Sequence, residues 1–190
     1  MIRTIFLVAL VLASGFVCFA QDKDDIKPSD KYLDRKDMEH SVPILKRAAE
    51  AGIAEAQYNY GVYVLEILLD PKTANEWFLK SAEQGFINAQ FKIAYSYLQG
   101  RGIDRNLDKA FFWMAKCADQ NDSQAMFVLA QMYDQGVGSK KDVAKEIEWL
   151  TRLALLPDEK DVPPERNVTS ARLNLGELYL LGDGVNKDLF

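Results

Sequence analysis

Apolar residues recur at spacings of three, four and seven along most of the chain. From Ala89 onward, Ala89, Phe91, Ile93, Ala94, Tyr97 and Leu98 mark the buried side of one helix. Gly100-Arg101-Gly102 stops it, because glycine tolerates the left-handed conformation that follows a helix end. Leu107, Ala110, Phe111, Trp113, Met114, Cys117 and Ala118 then mark a second helix. This is the period of a helix burying one broad face. No stretch alternates with period two for long enough to predict strands, so the expected fold is all-α.

The helix pair repeats. Trp77, Trp113 and Trp149 stand 36 residues apart, and Ala82, Ala118 and Ala154 keep the same step. Ala89 and Ala125 follow it, as do Tyr97 and Tyr133. Self-similarity at such a period is the mark of a stacked array. The units run over residues 56–88, 89–124, 125–170 and, in part, 171–190. Before them, Ile44 to Gly52 aligns with Trp77 to Gly85, the second half of a unit. Each unit is a helix A followed by a helix B, and the array opens on a half-unit near residues 43–55.

Local signals agree with this register. Asp70-Pro71 is expected to cap helix B of the first unit, with proline where a missing N–H costs nothing. Gly61, Ala94, Ala130 and Gly176 share one position in helix A, where a larger side chain would push the helix off its neighbour. Tyr97, Tyr133 and Tyr179, three residues on, are expected to fill the space between units.

These residues resemble the Sel-1-like repeat, a relative of the tetratricopeptide repeat. The pattern is met by Ala171 with Leu175-Gly176, Tyr179 and Gly182-Asp183-Gly184-Val185, and in its second half by Lys109-Ala110, Trp113, Lys116 and Ala118. The similarity covers roughly residues 43–190 and implies a right-handed α/α solenoid of stacked antiparallel helix pairs. Two departures stand out. The first unit replaces the Gly-x-Gly loop by Leu65-Glu66-Ile67-Leu68-Leu69, and the third carries an excess at Pro157 to Arg166, expected to be an exposed loop.

The N-terminus adds a location. Arg3, the apolar run Ile5 to Leu12, and Cys18-Phe19-Ala20 read as a signal peptide over residues 1–20, with the mature chain starting at Gln21. A charged segment over residues 21–42 would lead into the array over 43–190. The protein is therefore expected to be periplasmic or secreted, without stable membrane insertion after cleavage. Cleavage would leave Cys117 as the sole cysteine, so stability must come from packing rather than a disulfide.

Charge and composition narrow the chemistry further. A formal net charge of -5 argues against a nucleic-acid partner, which demands a basic face. His40 is the only histidine and belongs to no paired motif. The residues show no His/Cys cluster for zinc and no EF-hand loop, so no catalytic residue, metal site or cofactor is expected. The Gly-x-Gly turns follow helices rather than strands, which makes them helix stops rather than phosphate loops. Trp113 and Cys117 read as core.

The resemblance implies a binding role. Related solenoids present helix A on their concave side, where partners dock. On helix A, Asn59, Val62, Lys92, Tyr95, Val128, Gln131, Asn174 and Glu177 form a mixed polar and aromatic strip, expected to face away from the packing and to receive a protein partner. Exported bacterial members of the family are similar to adaptors, and to immunity proteins that neutralise phospholipase effectors of type VI secretion systems. The alternative is a cell-wall-binding or weak beta-lactamase-like hydrolase, but the cysteine-rich relatives with that activity have paired cysteines, which this chain lacks.

Overall fold

The computed structural model describes residues 38–156 and 166–181 of the chain. These form eight α-helices, with no strand among the described residues: α1 (Met38–Glu50), α2 (Ala54–Glu66), α3 (Pro71–Glu83), α4 (Ile87–Gln99), α5 (Leu107–Asp119), α6 (Ser123–Gln135), α7 (Val143–Ala154) and α8 (Arg166–Leu181). Each helix packs on its neighbours in the chain, and α6 also touches α8. The helices named A are α2, α4, α6 and α8. Those named B are α1, α3, α5 and α7. Residues 1–20, expected to be a signal peptide, the segment after them as far as residue 37, the Pro157 stretch up to residue 165 and the last Gly-x-Gly turn lie outside the described residues.

The helix starts follow their capping chemistry. Asp70 accepts hydrogen bonds from the N–H groups of Lys72 and Thr73, both at 3.1 Å, with Pro71 as the first helical residue. The Thr73 side chain, together with these main-chain bonds, holds the Asp70 carboxyl below the usual carboxylate range. Asn106, Asp122 and Asp142 cap α5, α6 and α7 in the same way. The first helix begins earlier than its apolar pattern suggests, at Met38, so that His40 and Pro43 lie within it.

The glycines of the two described Gly-x-Gly loops have different tasks. Gly100 and Gly136 end α4 and α6 in the left-handed conformation, at φ 71° and 67°. Gly102 and Gly138 follow with φ 70° and 67°, and each lies against the start of the preceding unit's helix B. A Cβ on Gly102 would fall 2.6 Å from the Pro71 carbonyl oxygen, and one on Gly138 would strike the Leu107 backbone. Asn75 completes the first of these clasps by donating to the Arg101 carbonyl at 2.7 Å. The first unit's own loop is three residues shorter and contains no glycine. Leu69 there takes a φ of 55°, which a side chain disfavours.

The core runs unbroken through the stack. Phe78, Ile93, Met114, Leu129 and Leu153 are each at most 1% exposed. Burying side chains of this size stabilises by roughly 1.5–3 kcal/mol apiece. At Gly61 a Cβ would come within 2.8 Å of the Phe78 ring, so the small position is needed where α2 meets α3, its own unit's helix B. Ala94 and Ala130 at the same position are fully buried. Gly176 is not: a Cβ there would meet nothing within 4 Å, and Tyr179 is 46% exposed. The expected crowding fails on α8 because no described helix B packs on that side. Tyr97 is buried as expected, and Tyr133 meets Phe111 edge-on at 5.2 Å across the α5–α6 contact.

Candidate binding surface

The eight strip residues occupy the fourth and seventh positions of each helix A, counted from its leading alanine. Asn59 and Val62 lie on α2, Lys92 and Tyr95 on α4, Val128 and Gln131 on α6, Asn174 and Glu177 on α8. Register thus places them in two rows crossing the A helices. Their exposure is uneven. Asn59 and Val62 are 2% exposed and Val128 is 7%, so these three are closed, not open as the helical pattern suggests. Lys92, Tyr95, Gln131 and Asn174 are half-buried, and Glu177 is exposed. The helical period marks one face for packing but cannot see burial on the others.

The centre of the rows, on α4 and α6, has the most chemistry. Tyr95 stacks at a tilt on Phe91, ring centres 4.8 Å apart. Burial pulls the Lys92 ammonium below the ordinary lysine value, an effect that Glu66 opposes and Arg101 reinforces. A partly desolvated cation on the same helix as an aromatic pair suits a ligand that brings carbonyls or carboxylates.

No described group of His, Cys, Asp or Glu could hold a metal ion. The His40 side chain lies outside the described residues. Cys117 is fully buried, its Sγ 3.7 Å from the Ile87 carbonyl, and burial pushes its thiol far above the ordinary range. Trp113 is 8% exposed, in keeping with a core role. Trp77 and Trp149 are half-buried, each under the cation three residues on: Lys80 at 4.3 Å and Arg152 at 5.0 Å. Lys116 stands over Trp113 likewise, at 5.7 Å.

The repeat pattern of apolar positions missed a set of glutamines that ties the units together. Gln57 donates to the Ala49 carbonyl at 3.2 Å and accepts from Gln84 at 2.7 Å. One unit on, Gln90 donates to Ala82 at 3.2 Å and accepts from Gln120 at 2.7 Å. Each buried glutamine therefore joins the previous helix B, its own helix A and its own helix B. Met126 takes the position in the third unit, and in the fourth Arg172 reaches the Ala154 carbonyl at 3.2 Å. The signal was present as Gln57 and Gln90, each one residue after a leading alanine.

Comparison with known proteins gives the same repeat. The Sel1 repeat matches at residues 54–86, 87–122, 123–158 and 169–189. An F-box protein of Arabidopsis thaliana is 37% identical over 71 residues, which is 37% of this chain and 20% of that protein. The DAP3-binding cell death enhancer 1 of Rattus norvegicus is 36% identical over 73 residues, 38% of this chain and 14% of that one. The chain thus spans a fifth or less of these curated relatives. Among solved structures, a Sel1 repeat protein from Oxalobacter formigenes superposes with a TM-score of 0.69 at 30% identity, covering 80% of this chain and 60% of that one. A protective antigen of uropathogenic Escherichia coli strains, which displays the same fold, gives 0.66 at 28% identity over 75% of this chain and 29% of that one. Helicobacter pylori cysteine rich protein B, at 17% identity and a TM-score of 0.51, shares the fold alone. With four repeats matched over most of its length, and a stack of helix pairs like theirs, the chain belongs to the Sel1 repeat family, an all-α solenoid whose repeats generally mediate protein–protein binding.

Proposed function

We propose that this protein holds one protein partner against its helix-A rows, outside the cytoplasm and without turning over a substrate. The observation that carries this reading is the half-buried trio Lys92, Tyr95 and Gln131, recurring in register on α4 and α6. Such side chains are partly stripped of water and partly held in place, so a partner loses little in ordering them. Export rests on the signal-peptide pattern of residues 1–20. Within that setting the protein is an adaptor or an immunity-type binder that neutralises a periplasm-acting toxin, a type VI phospholipase effector being the leading candidate.

Co-expression with candidate toxins, followed by calorimetry, tests the reading. Tyr95→Ala should weaken binding by roughly 2 kcal/mol while the chain stays folded, with circular dichroism as the check. His40→Ala should change nothing. Undiminished binding by the Tyr95 variant moves the site elsewhere. Hydrolysis of a cell-wall or beta-lactam substrate, lost in the His40 variant, overturns the binding reading. N-terminal sequencing that finds Met1 retained would remove the export.

A further inference from the structure

The glutamines of the described residues fall into two sets. Gln57, Gln84, Gln90 and Gln120 are tied into the links between helices. Gln99 of α4 and Gln124, Gln131 and Gln135 of α6, with Asn88 of α4, make no side-chain hydrogen bond within the described residues. Gln131 is half-buried and the other four are exposed. We propose that these carboxamides form the walls of a groove that takes one extended segment of the partner, basic at the end that lies over α2. The inference rests on the helix-A rows being the binding surface, and adds what kind of chain lies on them.

Asn88 and Gln124 each precede the leading alanine of their helix, and Gln99 and Gln135 stand 11 residues further on. That step is close to three helical turns, so both ends share the face that carries Lys92 and Tyr95 on α4, or Val128 and Gln131 on α6. The two walls are about 16 Å apart along the helix axis. A chain crossing the helices midway would have a wall about 8 Å to either side, within reach of a glutamine side chain and one hydrogen bond of about 2.9 Å. An extended chain suits this groove because its N–H and C=O groups point sideways while its side chains alternate toward and away from the floor. Each carboxamide offers both donor and acceptor, so it pairs with either. A helix would bring its main chain already bonded, and the carboxamides would lose water without exchange.

Charge sets the direction and the composition of the segment. At the positions of Asn88 and Gln99, α2 carries Glu55 and Glu66, both exposed and neither in an ion pair within the described residues. Both walls are therefore anionic over α2 and neutral over α4 and α6. Lys92, on the floor, is the one charged residue of α4, and Asp134, the one of α6, is bound to Lys141 at 2.9 Å. A segment with lysine or arginine over α2 and uncharged residues beyond it meets each of these, with a main-chain carbonyl for Lys92. The net charge of -5 draws such a segment in from a distance. A glycan, the other ligand that amides and rings suit, needs an open ring face, whereas Tyr95 is half-buried and tilted on Phe91.

The test is selection of displayed random linear peptides on the purified full chain, followed by titration of those selected. They are expected to carry lysine or arginine toward one end and few charges elsewhere. Gln99→Ala with Gln135→Ala should weaken the best of them about tenfold, and N-methylation of alternate main-chain nitrogens in the peptide should do the same. Glu55→Gln with Glu66→Gln should abolish the preference for the basic end and leave the rest of the binding in place. All four positions are exposed, so folding should survive, with circular dichroism as the check. If the first pair does not fold, Asn88→Ala with Gln124→Ala alters the opposite wall. No selected peptide, peptides indifferent to both walls, or a soluble cell-wall glycan binding through Gln99 and Gln135 instead overturns the inference. A toxin that loses affinity with Tyr95→Ala but not with the wall variants overturns the extended segment and leaves the helix-A surface standing. Binding that responds to neither Tyr95→Ala nor the walls removes the proposed surface as well.

Discussion

Gln120 donates its side-chain N–H to the Gln90 carbonyl oxygen at 2.7 Å, and Gln90 passes its own N–H to the Ala82 main chain at 3.2 Å. The pair links three helices, α3, α4 and α5, inside a region where Gln90 is 3% exposed. Gln90→Ala would remove one hydrogen bond each from the Ala82 carbonyl and the Gln120 amide, both of which keep a bond to Gly85, and should lower unfolding free energy by about 1–2 kcal/mol. The third unit shows an apolar solution, with Met126 and Leu156 at the equivalent places. The double change Gln90→Met with Gln120→Leu should therefore be closer to wild type than the single alanine variant. Urea titration of both decides it, and a double variant at least as damaged as Gln90→Ala would refute the exchange.

Glycine positions with similar dihedral angles should respond very differently to substitution. Gly85 has a φ of 90° and open space around it, so Gly85→Ala carries only the backbone cost, about 1 kcal/mol. Gly138 combines a φ of 67° with a main-chain wall at Leu107. Gly138→Ala should cost about 3 kcal/mol or more, because the collision adds to the backbone term. Thermal melts of the two variants give the comparison, and equal shifts would mean that the loop swings clear of α5.

Alkaline pH should unfold the array partly through Tyr58. Burial, aided by Glu66, pushes its hydroxyl from 10.0 up to about 12. An acid whose folded value is raised keeps its proton when the unfolded chain loses it. Its contribution is thus fully present below pH 10 and is lost as pH climbs from 10 toward 12, by up to roughly 3 kcal/mol. Tyr58→Phe should flatten the stability curve across that window, measured by denaturant melts at stepped pH. An unchanged slope would place the loss on other groups.

Cys117 should behave as a reporter of unfolding. Its thiol is buried and held protonated, so a thiol-specific alkylating reagent should label it slowly in the native chain and rapidly in denaturant. Fast native labelling would show that α5 opens readily from α4.

How much of this could be read in advance depended on which force governed each feature. Helix pairing, the Asp70-Pro71 cap and the core roles of Trp113 and Cys117 follow from local period and composition, and the structure places them as expected. The binding strip was less legible. Position on a helix wheel placed Asn59 and Lys92 in the same register, but whether such a residue is closed or half-open depends on everything packed around it. The glutamine links were hidden for another reason. A polar residue on a helix reads as surface until its distant partners are known, and those of Gln57 lie on α1 and α3.

The clasps at Gly102 and Gly138 also bear on how the molecule would yield to force. Pulled by its two ends, a stack of this kind is a set of links loaded in series, and the softest link gives first. The joints where α3 meets the second unit and α5 meets the third are each pinned by a loop glycine lying on a helix start. The joint between α1 and the first unit has a shorter, glycine-free loop beside it, so no glycine among the described residues pins it in that way. Of these three joints the one at α1 should therefore rupture first, so that an optical trap would record its small step before the larger steps of the two pinned joints.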